Sequence, residues 1–207
     1  MRLCRIMKRF ICEQNIAHFQ KLLGETSETT LQGTLERLLA TAKRELALID
    51  ADEEGAGPLP FTQHAVEAGD AASIREQFLA DFDGSPHPYM LLDPGPRLQI
   101  IDINAAYAAA TFTSREAIVG RSLFEVFPDN PDDPLADGVS NLYASLKTVA
   151  QTGRPHAMAV QRYDVRDLSG TFVEKRWQPV NTPIHDDAGR LVFLLHHVED
   201  VTDQVSH

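Results

Sequence analysis

The sequence predicts an α+β fold, with a helical hairpin at the amino-terminal end and an antiparallel sheet towards the carboxyl-terminal end. Two observations support this prediction. Apolar residues between Ile16 and Ile49 recur at spacings of three and four, which is typical of amphipathic helices. Two strand-like runs, 172–184 and 190–201, flank the segment Asp186 to Arg190, where Asp and Gly tolerate the positive φ angles of a tight hairpin turn.

Residues 1–50 are predicted to form two helices joined by a short turn. The break falls at Gly24, which suits a helix end, and Thr26 or Ser27 can cap the following helix. Helices of about 14 and 20 residues cannot bury an apolar stripe on their own. We therefore expect the stripe of the second helix to pack on the rest of the chain, on a second copy or on another protein. This candidate dimerisation or docking face comprises Leu31, Leu35, Leu38, Ala42, Leu46 and Ile49.

A linker is predicted over residues 51–70, because its beginning is rich in Gly, Pro and acidic residues. A further helix is predicted over 71–84, and the apolar residues of one of its faces are Ile74, Phe78, Leu79 and Phe82. Gly84, Pro86 and Pro88 then lead the chain out of this helix and into the first predicted strand.

Two opening strands, Tyr89 to Asp93 and Leu98 to Ile103, are followed by a helical stretch that begins at Asn104, and the strand–turn–strand segment ends in Asp200-Val201-Thr202. In these features residues 85–203 resemble a PAS domain. The stretch Phe124 to Pro131, with Asn141-Leu142 and Ser145-Leu146 after it, is similar to a bacterial PAS subgroup found in multidomain sensor kinases and in short stand-alone proteins. The resemblance implies a PAS fold: a five-stranded antiparallel sheet with helices on one face, preceded here by an α-helical hairpin.

The resemblance also implies the order of the elements. Helices are expected near 104–110, 114–119, 121–127 and 138–151, and strands are expected afterwards near 156–166, 172–184 and 190–201. The helix over 71–84 then corresponds to a PAS-flanking helix, which packs on the sheet or on the copy in a partner.

Charge and composition exclude several classes of protein. The net charge is −11, and residues 1–50 hold 8 Lys and Arg against 6 Asp and Glu, so the remainder is strongly acidic and is not expected to bind nucleic acid. No apolar run approaches the length of a membrane span. Cys4 and Cys12 lie in one helical segment without a disulfide framework, and we expect reduced thiols and a cytoplasmic location.

Neither catalysis nor metal binding is expected. The phosphate-loop, nucleophile-elbow and zinc-protease motifs are absent, and neither a phospho-acceptor helix nor an ATP-binding domain fits after residue 203. His196 and His197 are adjacent on a strand and therefore face opposite sides, so they cannot ligate one ion together. The acidic loop 129–137 resembles a calcium loop only in composition, because it lacks the required Gly and Glu.

Resident cofactors are not expected either. Haem-binding PAS domains usually take an axial His from the long helix, and Gly138 to Gln151 contains none. Flavin-binding PAS domains need a Cys on the helical side, and the last Cys of this chain is Cys12. His156 or His196 is left as a candidate for an unusual haem ligand.

The inner face of the sheet is the candidate ligand site. Comparison with PAS relatives places Trp177, Asn181, Leu194, His196 and Val198 inward on the last two strands, and Tyr107, Phe112, Phe124 and Phe127 on the helical side. Such a group forms either a filled core or a pocket, and in a pocket the polar Asn181 and His196 would favour small planar or acidic ligands over lipids.

The predicted function is signal transduction by a stand-alone bacterial PAS protein. Asp200 and Thr202 lie where the family's last strand leaves the domain, so they are candidates for signal relay. We expect a homodimer that relays a signal to a partner histidine kinase or regulator of a two-component system. A small-molecule receptor and the sensory fragment of a histidine kinase are the alternatives.

Overall fold

The computed structural model describes residues 2–57 and 82–205, with side chains for residues 5–57 and 82–204. The predicted linker therefore lies largely outside the described residues. The predicted helix over 71–84 also lies outside them, except for residues 82–84, which are helical. No helix in the described part of the chain is long and apolar enough to cross a membrane.

Two long helices form the amino-terminal hairpin, α1 (Arg2–Glu25) and α2 (Thr29–Glu54). The cap predicted at Thr26 or Ser27 is wrong, because Glu28 occupies the N-cap of α2 without a side-chain bond to the helix. The Thr26 hydroxyl instead accepts a hydrogen bond from the Glu28 amide, at 3.3 Å. The turn is therefore one or two residues longer than the sequence pattern predicts.

The second helix continues four residues beyond the boundary predicted at residue 50. It does so because Ala51 is buried and its carbonyl accepts bonds from the amides of Gly55 and Arg97, at 3.1 and 2.7 Å. Gly55 then ends the helix with a φ of +66°, and a Cβ atom there would lie 2.1 Å from the carbonyl oxygen of Gly95. Glycine is thus required where α2 meets the rest of the protein.

The remaining chain forms a mixed set of short helices and antiparallel strands. The helices are α3 (Ala105–Ala110), α4 (Arg115–Ile118), α5 (Leu123–Val126), α6 (Gly138–Thr152) and α7 (Thr202–Val205). The strands are β1 (Tyr89–Leu92), β2 (Ile100–Ile103), β3 (His156–Ala157), β4 (Gln161–Arg162), β5 (Val165–Arg166), β6 (Phe172–Val173), β7 (Arg176–His185) and β8 (Leu191–Asp200).

The main sheet is antiparallel, with the strand order β2-β1-β8-β7-β3. Strand β4 pairs with β7 farther along the same edge, so the predicted strand over 156–166 is divided, although the sheet stays five strands wide. Strands β5 and β6 pair with each other as a separate hairpin. The predicted α+β architecture is confirmed.

The β7–β8 hairpin sets which side chains face inward. Asp186 closes the turn by accepting bonds from the amides of Ala188 and Arg190, at 3.0 and 2.8 Å, and Gly189 has a φ of +77°. The register places Asn181 opposite His196. Since side chains alternate along a strand, both residues face the helices together, as the sequence comparison predicts.

Apolar residues pack on both faces of the sheet. The main core lies between the sheet and helices α2, α3, α5 and α6, and its fully buried members include Met90, Leu92, Leu98, Ile100, Leu123, Leu146 and Leu194. A smaller cluster on the opposite face contains Phe82, Leu91, Val192 and Phe193.

The hairpin docks on the helical face of the sheet domain. Arg44 of α2 forms an ion pair with Asp129, at 2.7 Å, and donates to the carbonyl of Ala136. Asp129 is only 3% exposed, and its other oxygen accepts from the Val139 amide at the start of α6, at 3.0 Å. The Tyr143 hydroxyl donates to the Gly55 carbonyl at 3.0 Å.

The predicted apolar stripe is divided by this docking. Leu35 and Ala42 are buried, Leu46 and Ile49 are half-buried, and Leu31 and Leu38 remain exposed. Packing within the chain therefore accounts for much of the stripe. A dimer through the whole stripe stays a prediction that this packing does not favour.

We predict that Arg44→Met lowers the free energy of unfolding by about 3 kcal/mol, because it leaves the buried Asp129 carboxylate without its cation. The control is Arg37→Met on the same helix, because Arg37 is exposed and its hydrogen bonds within the described residues go to its own helix. Urea denaturation measures both variants. Equal losses in the two variants would show that the ion pair contributes nothing.

Candidate functional site

A cavity of about 40 Å³ lies between the inner face of the sheet and the helices. Aromatic rings form part of its wall, and Thr111, Gln161 and His196 are polar residues that line it. The aromatic wall comprises Tyr107, Phe127, Tyr163 and Trp177. This space accommodates about one water molecule and is far below the roughly 300 Å³ of a typical small-molecule site.

The structure brings five of the nine predicted pocket residues to this cavity. They are Tyr107, Phe127, Trp177, His196 and Val198. Phe124 and Leu194 are buried in the main core without lining the cavity, and Asn181 lies behind His196. The prediction for Phe112 is wrong, because that residue has a φ of +55° and its ring is at the surface below Lys175.

A chain of hydrogen bonds runs from the cavity wall to the sheet edge. His196 Nδ1 lies 2.7 Å from Asn181 Oδ1, and Asn181 Nδ2 donates to Ser145 Oγ at 2.7 Å. Ser145 Oγ lies 2.7 Å from His156 Nδ1. Because an amide oxygen only accepts, His196 must carry its proton on Nδ1 and donate it to Asn181.

The other end of the chain is at Ser145. Its hydroxyl accepts from Asn181 and shares a second hydrogen bond with His156 Nδ1, in which the tautomer of His156 decides which atom donates. Sequence reasoning missed Ser145. Its signal was a polar residue between Leu142 and Val149 on the apolar face of α6.

His196 is an uncharged side chain. Burial and, after it, the neighbouring His197 lower its pKa to about 3. Its Nε2 is then a lone-pair acceptor without a hydrogen bond to any residue that the structure describes. A neutral donor, rather than the acidic ligand expected from the sequence, is the group that this ring can bind.

The residues around the cavity do not fit a haem or a flavin. The cavity is too small for either group. Cys12 lies on α1, where its thiol is 3.7 Å from Glu45. No thiol therefore reaches the cavity from the described residues.

The two predicted relay residues bond to each other at the end of β8. Asp200 accepts from the backbone amide of Thr202 at 3.0 Å and pairs with Lys175. The Thr202 hydroxyl accepts from the Arg176 amide at 3.0 Å. Burial opposes ionisation of Asp200, but the bonds from Lys175 and Thr202 outweigh it and lower the pKa of this carboxyl. The last strand is thus fastened to the beginning of β7.

We predict that His196 makes the protein less stable in acid. A base whose pKa falls from 6.5 to about 3 on folding binds fewer protons in the folded state, so stability is lost as the pH falls below 6.5. The loss approaches about 1.4 kcal/mol per pH unit. Urea denaturation at about pH 7, 6 and 5 should show a shallower dependence for His196→Gln. The same pH dependence in both proteins would mean that His196 is not buried as a neutral ring.

Comparisons with known proteins agree with this geometry. A family model described as the PAS fold matches residues 82–206, which is more than half of the chain. A search of curated proteins finds no significant match.

Solved structures similar to this chain are PAS and LOV domains. The Rhodobacter sphaeroides LOV protein is 14% identical, with a TM-score of 0.50 over 65% of this chain and 71% of that one. The PAS domain of a Colwellia psychrerythraea protein is 16% identical, with a TM-score of 0.47 over 63% and 98%. The PAS domain of Bordetella pertussis BvgS is 19% identical, with a TM-score of 0.46 over 62% and 87%. Because the family model matches residues 82–206, the chain belongs to the PAS fold family, whose members are sensory and signalling modules.

Proposed function

We propose that this protein is a signal-relay PAS protein whose amino-terminal hairpin is the output element. The hairpin would act as a homodimer or on a partner histidine kinase or regulator of a bacterial, cytoplasmic two-component system. The observation that supports the proposal most directly is a set of contacts that joins the cavity wall to α2.

The first contact is at the cavity. Tyr163 lines the cavity, and its hydroxyl donates to the carbonyl of Phe127, another wall residue. Burial, and after it the charge of Asp129, raises the pKa of the Tyr163 phenol, so the phenol stays protonated and keeps donating. A change in the cavity that moves Tyr163 therefore moves the Phe127 backbone.

The second contact lies two residues farther along the chain. Asp129 holds Arg44 of α2 and accepts from the amide of Val139, the second residue of α6. A Cβ atom on Gly138, beside that amide, would lie 2.2 Å from the Tyr163 ring. The start of α6, the Tyr163 ring and the ion pair are thus in direct contact, so a displacement of one displaces the others.

A surface for the output lies on α1. Ile6, Met7, Phe10 and Ile11 share one face of this helix and are each 48–58% exposed. Apolar side chains grouped in this way are typical of protein interaction sites. This face is a better candidate for dimerisation than the stripe on α2, of which Leu35 and Ala42 are buried within the chain.

We predict that the intact chain sediments as a dimer at tens of micromolar, roughly the range in which weak dimers form. Phe10→Glu should shift it to the monomer, because a carboxylate cannot be buried in an apolar interface without a partner. Leu168→Glu is the matched control, since Leu168 is 91% exposed and lies on the sheet domain. A monomeric wild type would rule out the homodimer and leave the partner protein as the occupant of this face.

The receptor alternative is supported by one observation, the free Nε2 of His196 beside an otherwise mainly apolar cavity. A small neutral molecule with one hydrogen-bond donor would suit this site if the aromatic wall moved to admit it. We propose that no haem or flavin is resident and that the chain is not an enzyme. A sensory fragment of a histidine kinase would use the same cavity and the same hairpin.

For the receptor alternative, phenol and toluene form a matched pair of ligands, because they differ in the single hydroxyl donor. Phenol should raise the melting temperature and change the emission of Trp177, the only tryptophan. The affinity for phenol should fall at least about tenfold in His196→Leu, because the loss of a buried hydrogen bond costs about 1.4 kcal/mol. The affinity for toluene should not fall in this variant. If neither compound affects the wild type, the cavity is a filled core and the receptor alternative is wrong.

A further inference from the structure

Three potential metal ligands meet on the outer face of the sheet, opposite the cavity. His197 and Glu199 are two residues apart on β8 and so share a face. Tyr89 pairs with His197, and His87, two residues before Tyr89, therefore comes opposite Glu199. One nitrogen from each histidine and one oxygen from Glu199 all lie within 4.8 Å of one another.

The separations in this cluster are too long for good hydrogen bonds. The Glu199 carboxylate lies 3.4 Å from His87 Nδ1 and 3.7 Å from His197 Nε2. Hydrogen bonds of this type are about 2.7–3.2 Å long. Two ligands that each lie about 2.0–2.1 Å from a tetrahedral ion are about 3.4 Å apart.

One nitrogen of this cluster lacks a hydrogen-bond partner among the described residues. His197 Nε2 is buried and has no hydrogen-bond partner among the residues that the structure describes. Leaving such an atom unpaired lowers stability, and buried polar atoms are nearly always paired. An ion held jointly with the Glu199 carboxylate would satisfy this nitrogen.

We propose that His87, His197 and Glu199 bind a divalent transition metal ion of the Zn²⁺ type, with water at the fourth position. Two imidazoles and one carboxylate are a donor set for Zn²⁺ and its neighbours, whereas Ca²⁺ and Mg²⁺ prefer oxygen ligands alone. Histidine ligates as the neutral ring.

The ligands are positioned by the fold. The amide of His87 donates to Ser85 Oγ at 3.1 Å, and its carbonyl accepts from Asn104 Nδ2 at 2.7 Å. The His197 ring packs beside Tyr89, with centroids 5.0 Å apart. His87 and Glu199 are about half exposed, so an ion can reach them from solvent.

The ion would connect the segment before β1 to the last residues of β8. Glu199 immediately precedes Asp200, which is bonded to Thr202 at the end of that strand. Metal binding would therefore stiffen the end of the strand from the face opposite the cavity. This would be a second input, independent of any ligand in the cavity.

The test is a titration of tag-free, chelator-treated full-length protein with ZnCl₂ by calorimetry. One ion should bind per chain, and Co²⁺ should give the visible absorption of a tetrahedral site. His87→Ala and Glu199→Gln, both at exposed positions, should each weaken Zn²⁺ binding at least about tenfold. Even the loss of a residue that only hydrogen-bonds to a metal ligand lowers metal affinity about 10–100-fold. His18→Ala and His185→Ala, at exposed positions elsewhere, should bind as the wild type does.

Melting temperature provides the second measurement, because an ion that binds only the folded state raises it. Zn²⁺ should raise the melting temperature of the wild type and of both controls, but not of a variant with both ligand substitutions. Two results would overturn the proposal. One is an unchanged affinity for Zn²⁺ in His87→Ala and Glu199→Gln. The other is no stoichiometric binding at about 100 µM Zn²⁺, which would half-saturate a site with a binding free energy of only about −5.5 kcal/mol.

Discussion

The Arg44–Asp129 ion pair joins the hairpin to the sheet domain, and several other contacts depend on its position. The Asp129 carboxylate is almost fully buried, so it requires both Arg44 and the Val139 amide as partners. These two partners belong to different parts of the chain, because Arg44 lies on α2 and Val139 lies in the first turn of α6. One side chain therefore fixes the docking of the hairpin and the start of the longest helix of the domain.

The position of this pair also relates the hairpin to the cavity. Phe127 forms part of the cavity wall and accepts from Tyr163, and Asp129 follows it after one residue. Near the other end of α2, Gly55 accepts from Tyr143 of α6 and lies against Gly95. The hairpin is thus held at two places on the helical face. Any signal that reaches α6 has a direct mechanical route to α2.

Neighbouring histidines on β8 have opposite environments. His196 points to the cavity and donates to Asn181, whereas His197 points to the outer face and has an unpaired nitrogen. The alternation of side chains along a strand produces this difference from two identical residues. Each face of the sheet therefore carries its own polar group close to the strand's carboxyl end.

The sequence predicts features that arise from local chemistry. The Asp-Gly turn predicted the β7–β8 hairpin, and comparison with PAS relatives, together with the alternation of side chains along a strand, placed Trp177, Asn181 and His196 inward. Phe112 could not be placed in this way, since its positive φ turns the ring towards the surface after α3. The continuation of α2 past residue 50 depends on a bond between Ala51 and the distant Arg97, which no local pattern indicates.

Other features depend on residues that are far apart in sequence. Arg44 and Asp129 are 85 positions apart, and neither has a local signal that identifies the other. The cluster on the outer face was missed because its third ligand, His87, comes from before β1, whereas the sequence directs attention to the adjacent pair His196 and His197. The size of the cavity depends on how Trp177 and Tyr163 pack, and residue types alone do not determine that packing.

The central claim is that the cavity wall and the hairpin are energetically coupled through Asp129. A double-mutant cycle with Tyr163→Phe and Arg44→Met tests it most directly, with urea denaturation of the wild type, both single variants and the double variant. Tyr163→Phe removes the hydroxyl that holds Phe127. Arg44→Met removes the cation that holds Asp129, together with its hydrogen bond to the Ala136 carbonyl. The coupling energy should be at least about 0.5 kcal/mol if the contacts form one unit. Effects that add within about 0.3 kcal/mol would contradict the account, because the cavity wall and the hairpin would then be independent.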